Sequence, residues 1–166
     1  MGDSYFLSKM GKECNENTIV FCGVKFMAES TKILLPNKKV IFPTPNATCP
    51  MASMITKEDV LRLKENHPNA KVVCYINSTA EVKSVVDVCC TSSNAIEIVK
   101  NLESDEIIFL PDKEFYMLDM CCSNMKKNSI KEIYKCLKNH SNEITIDENI
   151  REKAAKSLEK MHRLGV

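Results

Sequence analysis

As far as Leu110, short unbroken apolar runs alternate along the chain with longer stretches whose apolar positions recur every three or four residues. The runs Thr18–Cys22, Lys39–Phe42, Val72–Ile76, Val88–Cys90 and Ile107–Leu110 predict strands. They are continuous and largely β-branched rather than alternating. Between them the pattern predicts helices over Asp3–Glu13, Phe26–Leu35, Thr56–Asn66, Glu81–Val86 and Asn94–Leu102. Asp3 or Ser4 caps the first, Pro36 stops the second, and Asp59 stands in the first turn of the third. Strands without alternation, separated by helices, belong in a parallel sheet covered on both faces. The expected fold is therefore α/β: a three-layer αβα sandwich on a short parallel sheet, with C-terminal helices.

From Lys113 the pattern changes. Phe115–Met120 fits no period. Ser129–Asn139 is helical, with Ile130, Ile133, Tyr134 and Leu137 spaced along one face. Asp147 caps a last helix in which Ile150, Ala154, Leu158 and Met161 form one apolar stripe, the mark of a core or packing arm more often than of a partner helix. The division expected from this change is an α/β domain over residues 1–113 and a helical segment over 114–166.

Composition narrows the function classes. The 166 residues suit one compact domain, and the net charge of +1 offers no field for nucleic acid or an anionic membrane. No apolar run approaches the roughly 20 residues that span a bilayer. Met1-Gly2-Asp3-Ser4 does not begin a signal peptide, so the expected location is cytoplasmic. Nine cysteines stand out. In a reducing compartment they remain thiols, and no C-x-x-C pair supports a zinc ribbon. Cys22, Cys74, Cys89, Cys90 and Cys136 lie in apolar runs and are assigned to core, and Cys14 to a helix end. Cys49, Cys121 and Cys122 stand in loops or at element starts.

Ligands of parallel sheets bind at the carboxyl ends of the strands. The polar stretches that follow strands here hold Cys49, Asn77-Ser78-Thr79 and Thr91-Ser92-Ser93-Asn94, which points to a small polar substrate. Taken alone, Cys49 reads as an unligated loop thiol, Tyr75 as a strand aromatic, Asn77 as a turn former, and Ser92 or Asn94 as a helix cap. His67 reads as a turn residue; His140 and His162 sit near helix C-termini, where positive charge is favoured.

Seven stretches stand out in order: Gly2-Asp3-Ser4; CGVKFMAESTKILLP (Cys22–Pro36); the loop Ala47-Thr48-Cys49-Pro50-Met51-Ala52; YINSTAEVKSVVD (Tyr75–Asp87); TSSNAIEIV (Thr91–Val99); LPDK (Leu110–Lys113); and Cys122-Ser123-Asn124-Met125-Lys126. Together they resemble quinolinate synthase, the iron–sulfur enzyme of NAD biosynthesis, which has C-P-N-M-K at the last of them. The resemblance implies three similar α/β domains around a central site, each giving one cysteine to a 4Fe-4S cluster. It also implies a transferase reaction that condenses iminoaspartate with dihydroxyacetone phosphate. By motif, Cys49 and Cys122 are cluster ligands, with Cys121 an alternative to Cys122. Ser4, Tyr75, Ile76, Asn77 and Ser92 are substrate-binding positions.

Near Lys113–Glu114 the resemblance passes from the first domain straight to the end of the third. The family's second domain, with its cysteine and His-Pro-Glu motif, and most of the third have no counterpart, and the strand bearing a substrate-binding His and Tyr would precede Met1. Two of three cluster ligands are thus expected. A second copy of the chain or a complementing chain could supply the third. The competing expectations are a catalytically inactive remnant and a cluster- or metal-binding module without turnover.

Overall fold

The computed structural model describes residues 4–111, 126 and 128–165. Their elements run α1 (Ser4–Glu13), β1 (Thr18–Val20), α2 (Lys25–Leu34), β2 (Lys39–Ile41), α3 (Lys57–Asn66), β3 (Lys71–Tyr75), α4 (Ala80–Lys83), β4 (Val88–Cys90), α5 (Ala95–Asn101), β5 (Ile107–Leu110), α6 (Ile130–Asn139) and α7 (Glu148–Leu164). The class is the expected one, α/β with parallel sheets and C-terminal helices. The chain divides into two compact units, Met1–Pro50 with Phe115–Ile146, and Met51–Glu114 with Asp147–Val166.

In the first unit β1 and β2 pair in parallel, Ile19 opposite Val40. α1 lies on α2, joined by a buried hydrogen bond between the Ser8 and Thr31 hydroxyls (3.1 Å). Phe21, Ala28, Val40, Phe42 and Ala47 form a core, and Leu7, Met27 and Ile144 pack against it. Ile144 belongs to the stretch after α6. There the Ile144 amide donates to the Val40 carbonyl and the Phe42 amide to the Asn142 carbonyl, both at 2.8 Å. The turn leading into it holds His140 and Asn142 at positive φ, a conformation Asn tolerates better than most residues. α6 itself is capped by Ser129, whose hydroxyl accepts from the Glu132 amide while Glu132 reaches back to the Ser129 amide.

In the second unit β3 is central, between β4 and β5, and all three strands are parallel. Val72, Val73, Cys74, Val88, Cys89 and Cys90 are buried, as continuous apolar strands require when both faces are covered. α7 packs on β4 and α4 through Ala154, Leu158 and Met161. Thr56 caps α3 in a reciprocal arrangement with Asp59.

Two expectations need correction. The five strands fall into two sheets rather than one. Cys22 is exposed, because β1 ends at Val20 and leaves it beyond the strand. The other four assigned to core, Cys74, Cys89, Cys90 and Cys136, are buried.

Asp87, just before β4, ties the start of β3. Its carboxylate accepts from the Val72 amide (2.9 Å) and pairs with Lys64 (2.9 Å). Burial alone would raise this carboxyl, but the Val72 N–H and the Lys64 ammonium hold it below the usual range. A depressed folded pKa contributes stability above the unfolded value of about 3.9, and that contribution is lost as pH falls through the folded value. Asp87→Asn is thus expected to cost about 1–2 kcal/mol near neutrality. The gap from the parent should close in acid, as melts from pH 7 down to pH 3 would measure.

Candidate functional site

Parallel pairing aligns the ends of β3 and β4, with Tyr75 opposite Cys90. The two loops that leave them therefore share one rim. The Ile76 amide donates to the Cys90 carbonyl (2.8 Å), extending the ladder by one residue, and the Ser78 amide then turns back to the Ile76 carbonyl (2.8 Å). Side chains alternate here as the pleat demands: Ile76 is 2% exposed, while Tyr75 and Asn77 on either side are half-buried. Ile76 can therefore offer a ligand its backbone only, whereas Tyr75 and Asn77 can offer a phenol and an amide. Thr79 closes the loop by accepting from the Val82 amide (3.3 Å).

The β4 loop is held by the Thr91 amide, which donates to Asn94 Oδ1 (2.7 Å), and by a 2.9 Å contact between the Thr91 and Ser93 hydroxyls. Ser92 stands exposed between them. These bonds make Asn94 and Thr91 the local framework and leave Ser92 as the outward hydroxyl of the rim.

Lys83 was not legible as part of this region from sequence. It is completely buried, and its ammonium donates to the Ser78 carbonyl. A buried ammonium is costly unless hydrogen-bonded, so this bond clamps α4 to the loop that carries Asn77. The one hint is its place between Val82 and the apolar Val85-Val86 pair.

Cys49 belongs to the first unit. β2 delivers it through Pro43–Thr48, a loop fixed by the Ala47 amide on the Thr44 carbonyl (2.9 Å) and the Lys25 amide on the Ala47 carbonyl (3.0 Å). The Thr44 hydroxyl also donates to Asn128 Oδ1 (2.7 Å). Cys49 is 7% exposed, just ahead of the short 3-10 turn Pro50–Ser53. Ser4 is the first residue of α1. Cys121 and Cys122 lie outside the described residues. Among the described residues no group of three or more His, Cys, Asp or Glu side chains is placed to hold a metal ion. None of their helices is long and apolar enough to cross a membrane.

The His residues take structural places. His67 ends α3 and contacts Glu106 Oε1 at 3.0 Å, His140 is the left-handed cap of α6, and His162 is in the last turn of α7.

Fold and rim together define an α/β protein with polar groups gathered where parallel strands end. The family profile described as Quinolinate synthetase A protein (NadA) matches residues 1–116 and, separately, residues 111–163. The chain is 51% identical over 264 positions to the quinolinate synthase of Clostridium novyi (strain NT), an alignment covering 99% of this chain and 88% of that protein. It is 38% identical over 266 positions to that of Clostridium perfringens (strain 13 / Type A), with the same coverage. With the quinolinate synthase of Clostridium acetobutylicum it shares 66% identity over 113 residues, 68% of this chain and 37% of that protein. The chain belongs to the quinolinate synthase family. It corresponds to part of it: of 264 aligned positions in the Clostridium novyi protein, at least 98 (264 less 166) face no residue here. The two profile matches meet at residues 111–116, directly after β5.

Proposed function

We propose that the chain is a quinolinate synthase-like protein of de novo NAD biosynthesis that carries one wall of the family's site and depends on further polypeptide for turnover. The observation that supports this best is the joined rim of β3 and β4, which presents Tyr75, Asn77 and Ser92 in a chain that matches the family in two pieces. The family's reaction, a transferase step, condenses iminoaspartate with dihydroxyacetone phosphate. Both substrates carry anionic groups. The Tyr75 phenol and Asn77 amide would bind and orient a carboxylate, the Ile76 carbonyl, whose N–H is already given to Cys90, would accept from a substrate hydroxyl, and Ser92 would supply a second hydroxyl donor. Ser4, opening a ten-residue helix, sits where backbone N–H groups favour an anion. With one wall only, water is not excluded and these donors are poorly preorganised, so the largest catalytic term is weak.

The family's 4Fe-4S cluster, held by three thiolates, supplies a Lewis acid toward a substrate oxygen. Cys49 and Cys122, or Cys121 in its place, give this chain two of those thiolates, so by itself it does not make up the donor set. A second copy or a complementing chain would complete it. That shortfall favours a second reading, an inactive remnant or a metal-binding module without turnover. Thiols kept reduced and a nearly neutral chain go with a cytoplasmic protein that acts on small molecules rather than nucleic acid or membrane.

Anaerobic reconstitution with iron and sulfide tests the proposal. The expected result is iron uptake that falls several-fold in Cys49→Ala, with no quinolinate formed by the chain alone. Quinolinate formation by the purified chain alone would overturn the claim of incompleteness. Equal iron uptake by Cys49→Ala and the parent would remove the ligand role and leave the remnant reading.

A further inference from the structure

Nine large apolar side chains are exposed among the described residues, and six of them lie on the elements that flank the junction at residues 111–116. Before it, Ile96 (70% exposed) and Val99 of α5 and Phe109 of β5 line one shallow apolar depression with Ala95 and Lys100. After it, Ile130 (87%), Tyr134 (63%) and Leu137 of α6 are exposed at i, i+4 and i+7, a single helix face. Scattered surface hydrophobes need no explanation, but contiguous ones mark interaction sites. α6 has only Cys136 buried and Ile133 half-buried, so an amphipathic helix here shows much of its apolar face to solvent.

The place of these faces in the chain says what covers them. Relatives carry at least 98 further residues, and the two matched parts meet between β5 and α6. From this we infer that the α5–β5 face and the α6 face are docking surfaces for a separate polypeptide equivalent to that intervening segment. Its own apolar surface takes the place of solvent on Ile96, Val99, Phe109, Ile130, Tyr134 and Leu137. The inference rests on the reading of the chain as a partial synthase and names two faces, one on each compact unit, through which completion occurs.

The test co-expresses the full chain with the intervening segment of the Clostridium novyi protein. Co-purification in fixed ratio is expected. Slowed deuterium exchange is expected in peptides covering Ala95–Asn101, Ile107–Leu110 and Ile130–Asn139. Ile96→Lys and Tyr134→Lys, at exposed positions, should leave the melting temperature of the chain unchanged. Each should weaken capture at least about tenfold, as for anchors at an interface centre. Absence of co-purification, capture indifferent to both Lys variants, or capture without protection of these peptides would each overturn the inference. So would a homo-oligomer of the chain that already protects them. As a second measurement, the segment inserted after Pro111 in one continuous chain should give the same protection, and a folded chimera without it also refutes the idea. None of these readouts needs turnover. Capture without quinolinate formation upholds the docking surface and removes the catalytic reading instead.

Discussion

Leu158→Ala is expected to destabilise the unit built on β3 by about 3–4 kcal/mol, a large share of what a domain of this size possesses. Leu158 is fully buried, as are Ala154 and Met161 on the same face of α7. The helix covers β4 and α4. Ser157 beside it donates to the Ala154 carbonyl (2.9 Å), and its hydroxyl stands 3.4 Å from the Cys89 sulfur, so the surrounding backbone and strand cannot easily close over a lost isobutyl group. Urea unfolding followed by exchange of the Lys71–Tyr75 amides would measure the loss. Leu137→Ala, on the exposed face of α6, serves as a control and should cost under about 0.5 kcal/mol. Equal losses would mean that α7 is not a core element.

Thiol labelling should separate the cysteines by orders of magnitude. Cys14 and Cys22 are exposed and should react with iodoacetamide in the native protein, Cys22 more slowly than an ordinary thiol because partial burial raises its pKa. Burial pushes Cys74 and Cys90 up to about 12, with neighbouring cysteines adding to the rise. At pH 8 only about one in 10,000 of either is thiolate, and thiolate is the reactive form. Cys89, wholly enclosed, is also raised by burial. Labelling of these three should be at least about a thousandfold slower than that of Cys14 and should equalise in urea. Peptide mass spectrometry over time would decide it. Comparable native labelling of Cys74 or Cys90 would contradict the buried sheet. The same shifts set an alkaline limit. A raised folded pKa contributes stability that is complete below the ordinary value of 9.0 and is lost as pH climbs toward 12.

Local signals gave the elements well. Thr56, Ser129 and Asp147 each cap the helix their sequence position announces, and the strand centred on Val73 sits between two parallel neighbours, as its unbroken apolar run requires. Periodicity tells which residues share a face but not what covers that face. The stripe on α7 is core, while the similar stripe on α6 leaves Ile130, Tyr134 and Leu137 exposed and Ile133 half-buried. Cys22 lies outside the core for a related reason: its apolar neighbourhood in sequence outlasts the strand by two residues. The rim was legible wherever it follows from strand ends, as for Tyr75, Asn77 and Ser92. Lys83 was not, since nothing in a charged residue's spacing reveals that its ammonium is satisfied by a carbonyl five residues back. Nor did any period mark Asn142-Glu143-Ile144 as the piece that lies against β2.

That return stretch beside β2 bears on how the protein is made. The unit holding β1 and β2 takes α6 and the stretch through Ile146 only after the residues of the other unit up to β5 have been synthesised, and that other unit waits in turn for α7. Each unit therefore completes its contacts out of simple N-to-C order, with a long loop to close before the last of them form. A chain laced in this way should refold slowly, lean on chaperones, and yield no autonomous half from any single cut.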